Sequence, residues 1–509
     1  MEERVLLLFA SLLLITLITK FLKATPRAPQ LKHSSPKCYP LVGSLFSIVA
    51  NGDRIAQYMS DLIRASPTHT AFFPLPFGSC LIATANPSNV QHILKTRFHA
   101  YPKGSTFYVT LYDLLGDGIF NTDGESWKTQ RKISSHEFNN RSLRKFIDTA
   151  IWSEIAGRLL PLLCSAAAEQ RVLDLQDVLQ RFGFDNICKI AFGFDLGCLD
   201  PSRPPSDFVV AFDDAVRLLG KRFTTVFPII WKIKRVLRVG SEKQLQDALA
   251  IVNGFAEKLV RERKQQQQAN SMAENSDLLG RFISSSDDAD EKFVKDMVIS
   301  FILAGRDTTS AALTWFFWLV SRHDRVEDEI LKELSAIERE ALGFEEVKEM
   351  NYLHAAICES MRLYPPVPSD SKQAAEDDIL PDGTVVPKGA IVAYHPYAMG
   401  RIESLWGKDW EEFRPERWLQ KDGGGAEGKW RFMAEDPYKY PVFQAGPRVC
   451  LGKEMAFIQM KSVAAAVLRR FRVVAAPPDF EPVFTVDISS KMKGGFPVRV
   501  EERNVCSSS

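Results

Sequence analysis

The sequence predicts a mainly α protein with small β elements, on three observations. Apolar residues recur at helical spacing through 141–171, 174–193, 205–220 and 241–268. The run EKFVKDMVISFILAGRDTTSAALTWFFWLVSRH, residues 291–323, reads as one long helix. At 1.5 Å per residue it would extend roughly 50 Å, through the middle of a domain this size. Strand-like pieces lie near both ends of the body, with FFPLPFGSCLIATA (72–85) reading as an early hairpin. A length of 509 residues alone suggests about three domains. No clear linker divides the chain after its first 40 residues, which leaves one large body spanning 43–509.

Composition narrows the function. Hydrophobic residues make up 45% and Phe alone counts 34, enough for a large core and an apolar pocket. The formal charge of +1 gives no polyanion-binding role, so no nucleic acid is expected. The eight cysteines (38, 80, 164, 188, 198, 358, 450 and 506) show no CxxC and no regular framework. A reduced cytosolic setting fits that scatter better than a disulfide scaffold.

Residues 1–23 read as a membrane anchor. Val5 to Thr19 carry no charge, and Phe21 and Leu22 extend the apolar stretch past Lys20, which can snorkel at the end of a slightly short span. A secretory signal would prefer a positive start and a small-residue cleavage site, whereas here Glu2, Glu3 and Arg4 come first. Lys20, Lys23 and Arg27 follow the run and place the body in the cytosol. Residues 24–42 carry Pro26, Pro29, Pro36 and Pro40, a stiff non-helical hinge.

Within the body, NPSNVQHILKTRF follows the hairpin as a helix. KQQQQANSMAENSD (264–277) and SSSDDADE (284–291) leave the helical pattern and read as solvated loops, and KDGGGAEGKW (421–430) as a glycine-rich surface insertion. A second membrane span over 291–323 is rejected, since Arg306 and Asp307 would each cost about 2.5–3.5 kcal/mol in lipid.

Four segments carry chemistry. In AGRDTTS, Ala304, Gly305, Asp307 and Thr308 sit mid-helix, where Gly305 costs roughly 1 kcal/mol against Ala unless something approaches closely. An acid followed by a hydroxyl can bind water and pass protons to dioxygen; a polar turn satisfying its own backbone explains the same residues. Glu359 and Arg362, three apart in ESMRLYPPVP, meet on one helix face, and Arg417 in FRPERW is a third member. Trp127 and Arg131 in WKTQRK project to one side of a helix. In FQAGPRVCLG, Phe443, Gly446, Arg448, Cys450 and Gly452 surround a thiol that precedes a helix, LGKEMAFIQMKSVAAAVLRRF. A negative sulfur is favoured at a helix N-terminus. The combination describes an iron porphyrin held by Cys450, with Arg448 on a propionate.

FQAGPRVCLG carries every fixed position of FxxGxRxCxG, and the chain resembles the cytochrome P-450 monooxygenases. AGRDTT resembles the family's AGxDTT oxygen-activation motif. That resemblance implies the mainly α haem-thiolate monooxygenase fold and haem b with an axial Cys450 thiolate. It implies Thr308 and Asp307 in proton delivery, with Ala304 and Gly305 beside the cofactor. Trp127 and Arg131 would reach the propionates, and Glu359, Arg362 and Arg417 would form a buried structural triad. The hinge and anchor match an endoplasmic-reticulum membrane protein with a cytosolic catalytic domain. Dioxygen is the implied co-substrate. Nothing in the chain resembles a flavin or nicotinamide domain, so electrons must come from NADPH through a separate cytochrome P-450 reductase. Lys128, Lys132, Lys439 and Lys453 are candidates to dock it. One departure is visible: in YAMGRIESLWG, Gly400 precedes Arg401 where many members have His.

YPVFQAGPRVCLGKEMAFIQMKS, LPDGTVVPKG and YHPYAMGRIESLWGKDW resemble the plant fatty-acid ω-hydroxylase branch, which also includes jasmonoyl–amino acid hydroxylases. The resemblance implies hydroxylation of an acyl chain at or near its terminal carbon. Candidate pocket residues are Phe107, Leu111, Leu115, Phe120, Phe301, Val367, Pro368 and Met492, all apolar as an acyl chain needs. Two other functions compete: a haem-thiolate fatty hydroperoxide isomerase needing neither reductase nor dioxygen, and a non-catalytic haem sensor. An intact Asp307–Thr308 pair argues against both.

Overall fold

The structure is a computed structural model. It describes residues 36–39, 42–136, 144, 146–203, 206–225, 227–269, 278–284, 291–337, 339, 342–421 and 429–503. The expected anchor (1–23), most of the hinge and Cys506 lie outside them. Among the described residues, no helix is long and apolar enough to cross a membrane.

The helices that build the site are α1 (Gly104–Leu115), α2 (Gly124–Ser135), α3 (Leu175–Phe192), α4 (Asp207–Thr224), α5 (Pro228–Leu237), α6 (Gly240–Ala269), α7 (Glu291–Ser321), α8 (Asn351–Leu363) and α9 (Lys453–Arg470). β1 (Thr70–Pro74), β2 (Cys80–Thr84), β3 (Asp370–Gln373) and β4 (Ile391–Tyr394) form a sheet in the order β1-β2-β4-β3. β5 (Phe484–Val486) and β6 (Ser490–Met492) pair as an antiparallel hairpin. Phe471–Ala475, Pro497–Glu502 and Leu173–Asp174 make a three-stranded sheet, and two short pairs complete the β content.

α7 is the axis of the molecule. Buried residues fall on every side of it, mostly apolar with a polar patch at its middle, so the helix lies inside the body. α3, α6, α8 and α9 all pack against it. α3 starts where Asp174 accepts from the Gln176 and Asp177 N–H groups, an N-cap, and it stops at Gly193 in the left-handed region. The α3–α7 crossing is close because two glycines meet it. A Cβ on Gly305 would lie 2.7 Å from Ile187 Cδ1, and one on Gly183 would lie 3.2 Å from the Arg306 carbonyl oxygen. Helix packing therefore accounts for the glycine in the middle of α7.

Three sequence expectations change. The stretch from Lys264 is not a loop from its start: α6 runs on to Ala269, as suits lysine, glutamine and alanine, all good helix formers. Residues 270–277 lie outside the described residues. Ser284 ends a helix (Leu278–Ser284) and Glu291 begins α7, with 285–290 undescribed. The expected 141–171 helix is observed over 147–168 as alternating α and π turns. The glycine-rich insertion joins the strand pair Leu419–Lys421 and Trp430–Phe432. All seven described cysteines are free.

Candidate active site

The Cys450 loop consists of two short 3-10 turns, Pro441–Phe443 and Gly446–Arg448, set before α9. Gln444 and Gly446 both take positive φ, 62° and 66°. Gly446 is further required because a Cβ there would come within 2.1 Å of the Leu94 carbonyl oxygen. The Cys450 N–H donates to Phe443 O (2.8 Å), which curls the loop around the sulfur. Phe443 stacks near Phe457 of α9, at 5.0 Å between centroids. Cys450 is exposed on its loop, yet desolvation by the surrounding protein pushes its thiol up, while the Gly452 N–H, Arg131 and Lys453 pull it down. A metal ion at the sulfur would remove the proton outright.

Beside the sulfur, α2 presents Trp127 and Arg131 on one face, as their spacing predicts. Arg448 lies over the Trp127 ring at 4.4 Å and Arg131 at 5.9 Å. Arg131 Nη2 donates to Val449 O (2.7 Å), and Arg448 Nη2 donates to Thr122 O (2.8 Å) and Asp123 Oδ1 (2.6 Å).

Sequence reasoning missed the next layer. Asp370 of β3, buried, takes Lys103 Nζ on Oδ1 (3.0 Å) and Lys372 Nζ on Oδ2 (2.7 Å), with Gln444 Nε2 at 2.6 Å and Tyr394 OH at 3.1 Å. Although burial alone would raise it, the two lysines hold the Asp370 carboxyl well below its usual range. Burial depresses Lys372 to about 7. No local pattern marks these groups, because Lys103 and Asp370 stand 267 residues apart.

This donor set fits haem. Among the described residues, Arg131, Arg448 and Lys103 stand beside the carboxylates Asp123 and Asp370, with Lys372 depressed toward neutrality, so cations still exceed carboxylates beside a sulfur donor. A buried excess of positive charge suits a ligand that brings its own carboxylates.

α7 passes the site with Ala304, Gly305 and Thr308 on its partly accessible face, while Arg306, Asp307 and Thr309 are buried. Thr308 Oγ1 donates to Ala304 O (2.7 Å), so in this arrangement its hydroxyl satisfies the helix backbone. Neither Asp307 oxygen has a hydrogen-bond partner, and burial pushes its carboxyl up.

Glu359, Arg362 and Arg417 come together as the motifs imply. Arg362 donates from Nε to Oε2 and from Nη2 to Oε1 of Glu359, each at 2.8 Å, and Arg417 Nε adds 3.1 Å to Oε1. The Trp418 indole (2.9 Å) and the Arg414 N–H (3.1 Å) complete the cage. Gly400 now has a reason: its carbonyl accepts from Arg362 Nη1, and a Cβ would stand 2.0 Å from Arg362 O.

Of the pocket candidates, Leu111, Leu115, Phe301 and Met492 are buried members of the large hydrophobic core, with Phe107 packed against it. Their elements, α1 and β6, both pack on α7. Val367 and Pro368 sit between α8 and β3, outside that core, and Phe120 is 37% exposed.

A sulfur donor in a cationic cradle, with a buried acid-and-hydroxyl helix packed against the helix that follows the sulfur, is the arrangement of a haem-thiolate monooxygenase, and this protein is one. The family model Cytochrome P450 matches residues 34–492, and the chain belongs to that family. Its mainly helical body with small sheets is that family's fold. It is 54% identical to cytochrome P450 94A2 of Vicia sativa over 494 residues, covering 96% of this chain and 95% of the relative. Identity to cytochrome P450 94B3 of Arabidopsis thaliana is 47% over 502 residues, with 98% of each covered. Identity to cytochrome P450 CYP94D108 of Paris polyphylla is 45% over 490 residues, with 94% of each covered.

Proposed function

We propose that this protein hydroxylates an acyl chain, most simply a fatty acid, at or near its terminal carbon, using electrons from NADPH delivered by a separate reductase. The observation that supports the reading is that Leu111, Leu115, Phe301 and Met492 all lie in the large apolar core through which α7, the helix that bears Thr308, runs. It joins the motif-level resemblance to the ω-hydroxylase branch. Bound haem supplies the oxygen chemistry, with thiolate ligation favouring O–O cleavage.

The chain's own residues position, exclude water and move protons. Cys450 would hold the haem iron, and Phe443 and Gly446 shape its loop. Arg448, Trp127 and Arg131 would receive the haem carboxylates, with Lys103 and Lys372 adding charge. Asp307 carries protons inward and Thr308 orients them. Phe107, Val367 and Pro368 extend the apolar wall, and Ala304 and Gly305 keep α7 slim beside it. Lys128, Lys132 and Lys453, all exposed, together with Lys439 form the face offered to an acidic reductase. Residues 1–23 anchor the enzyme in the endoplasmic-reticulum membrane, 24–42 form the hinge, and 43–509 the cytosolic catalytic domain.

The test is incubation of the purified protein with a plant reductase, NADPH, lauric acid and, separately, a jasmonoyl conjugate. A terminally hydroxylated laurate supports the reading. Turnover of the conjugate alone moves the substrate to the hormone class, and no hydroxylated product from either defeats the acyl assignment.

A further inference from the structure

Arg306 precedes Asp307 at the centre of α7 and is only 2% exposed. A guanidinium does not lose its proton, so this buried cation needs carboxylates. It has two, on different helices. Asp213 of α4 accepts from Nη2 at 2.9 Å and lies 2.8 Å from Nη1. Asp307 stands 3.4 Å from Nη1 and makes no hydrogen bond with either oxygen. The Phe184 and Phe212 rings flank the guanidinium at 5.9 and 5.7 Å, which restricts where it can move.

The two acids differ in exposure. The Asp307 side chain is 1% exposed and Asp213 is 37% exposed, so the arrangement runs from solvent at α4 to the buried acid on α7. On the solvent side Lys491 of β6 comes within 3.8 Å of Asp213 and 3.9 Å of Asp487. A buried arginine that turned wholly to Asp307 would lock that carboxylate in a bidentate pair and deny it to a passing proton. Asp213 competes for the same guanidinium.

We propose that Asp213 is a positioning residue for proton delivery: by holding Arg306 from α4, it keeps Asp307 out of a tight ion pair and available to bind and release protons. The inference rests on the assignment of Asp307 to proton delivery. Each proton forms an O–H bond on an Asp307 oxygen and leaves from it, while Arg306 keeps its own protons throughout.

The experiment uses the full chain with reductase and NADPH, lauric acid as probe, and four variants: Asp307→Asn, Asp213→Asn, Asp213→Glu and Lys491→Met. The readouts are hydrogen peroxide released per NADPH oxidised and the solvent deuterium isotope effect on NADPH oxidation. The reduced carbon monoxide spectrum reports an intact thiolate site. Asp213→Asn should raise the peroxide fraction and the isotope effect, and slow kcat about ten-fold, less than the roughly 10²–10⁴ that a proton-transfer group itself contributes. Asp213→Glu should restore all three. Asp307→Asn with wild-type peroxide and isotope effect overturns the proton-delivery assignment, and this inference with it. A perturbed Asp307→Asn beside an Asp213→Asn indistinguishable from wild type overturns the inference alone. Should Asp213→Asn lose haem, Lys491→Met decides. Removing the competing lysine lets Asp213 hold Arg306 alone, so the isotope effect should fall below wild type, and an unchanged value overturns the proposal.

Discussion

Replacing Glu359 by Gln should unseat the Cys450 loop without touching it. The carboxylate is fully buried and takes two bonds from Arg362, one from Arg417, one from the Trp418 indole and one from the Arg414 N–H. Gln keeps the shape, removes the charge, and turns an amide N–H₂ toward groups that can only donate. Removing one partner of a buried ion pair costs about 3–5 kcal/mol. Unfolding entropy near 2.1 cal/mol/K per residue gives a 509-residue chain about 1 kcal/mol/K, so the midpoint should fall by only about 3–5 °C. Haem content should fall further, because the damage is aimed. Trp418 meets Tyr440 edge to face at 4.7 Å, and Tyr440 OH donates to Cys358 O at 2.9 Å immediately before the loop begins. The assay pairs calorimetric Tm with pyridine haemochrome content per polypeptide. As a control, Glu125→Gln, which breaks the exposed pair with Lys128, should shift neither. Full haem occupancy and an unchanged Tm in Glu359→Gln would refute the reasoning.

Four further outcomes follow. Cys450→Ala should abolish both haem retention and the thiolate carbon monoxide band, and unchanged optical properties would remove the ligand assignment. Gly446→Ala puts a Cβ 2.1 Å from Leu94 O at φ +66° and should cost more than about 1–3 kcal/mol, read as lost haem occupancy. His395, 1% exposed, accepts the Ala398 N–H on Nδ1, and burial holds its pKa at about 3 against an ordinary 6.5. The unfolded chain therefore binds the extra proton, and its share of stability, complete above pH 6.5, drains by about 1.4 kcal/mol per pH unit as pH falls toward 3. His395→Asn, which keeps a cap, should flatten the urea-midpoint decline between pH 6.5 and 5 by about 2 kcal/mol; an unaltered slope would count against this. Deleting residues 1–23 should leave the carbon monoxide band intact and release the protein from microsomes, as judged by sedimentation.

What the sequence disclosed and what it hid divide along physical lines. α7, the Cys450 loop and the Glu359 triad were legible because each is encoded by neighbours: a helical period, a glycine-bearing turn, an i,i+3 pair. Lys372 and Lys103 were not, since an isolated lysine on a strand or before a helix reads as solvated until the fold buries it against Asp370. In the sequence Gly400 is only a departure from the family pattern. Only the three-dimensional contact with Arg362 explains it. The helix across Lys264–Ala269 was misread because runs of glutamine resemble linkers in composition while retaining helical propensity.

Arg306 shows why the middle of α7 has to be polar on one side. Ala304 and Thr308 leave the accessible face narrow, and Gly305 lets α3 close against the helix from another direction. Burial pushes the Asp307 carboxyl up, since desolvation disfavours its charged form. A cation on the adjacent residue opposes that, but unopposed it would also immobilise the acid. Placing the second carboxylate on α4 resolves the conflict, because the guanidinium is then satisfied from outside the helix. α4 also carries Phe223, which lies 6.2 Å from Phe107 of the apolar wall, so a shift of α4 on substrate entry would move the counter-ion and the pocket together. On this arrangement, substrate-free enzyme and substrate-bound enzyme should differ in solvent isotope effect, and Asp213→Asn should erase that difference.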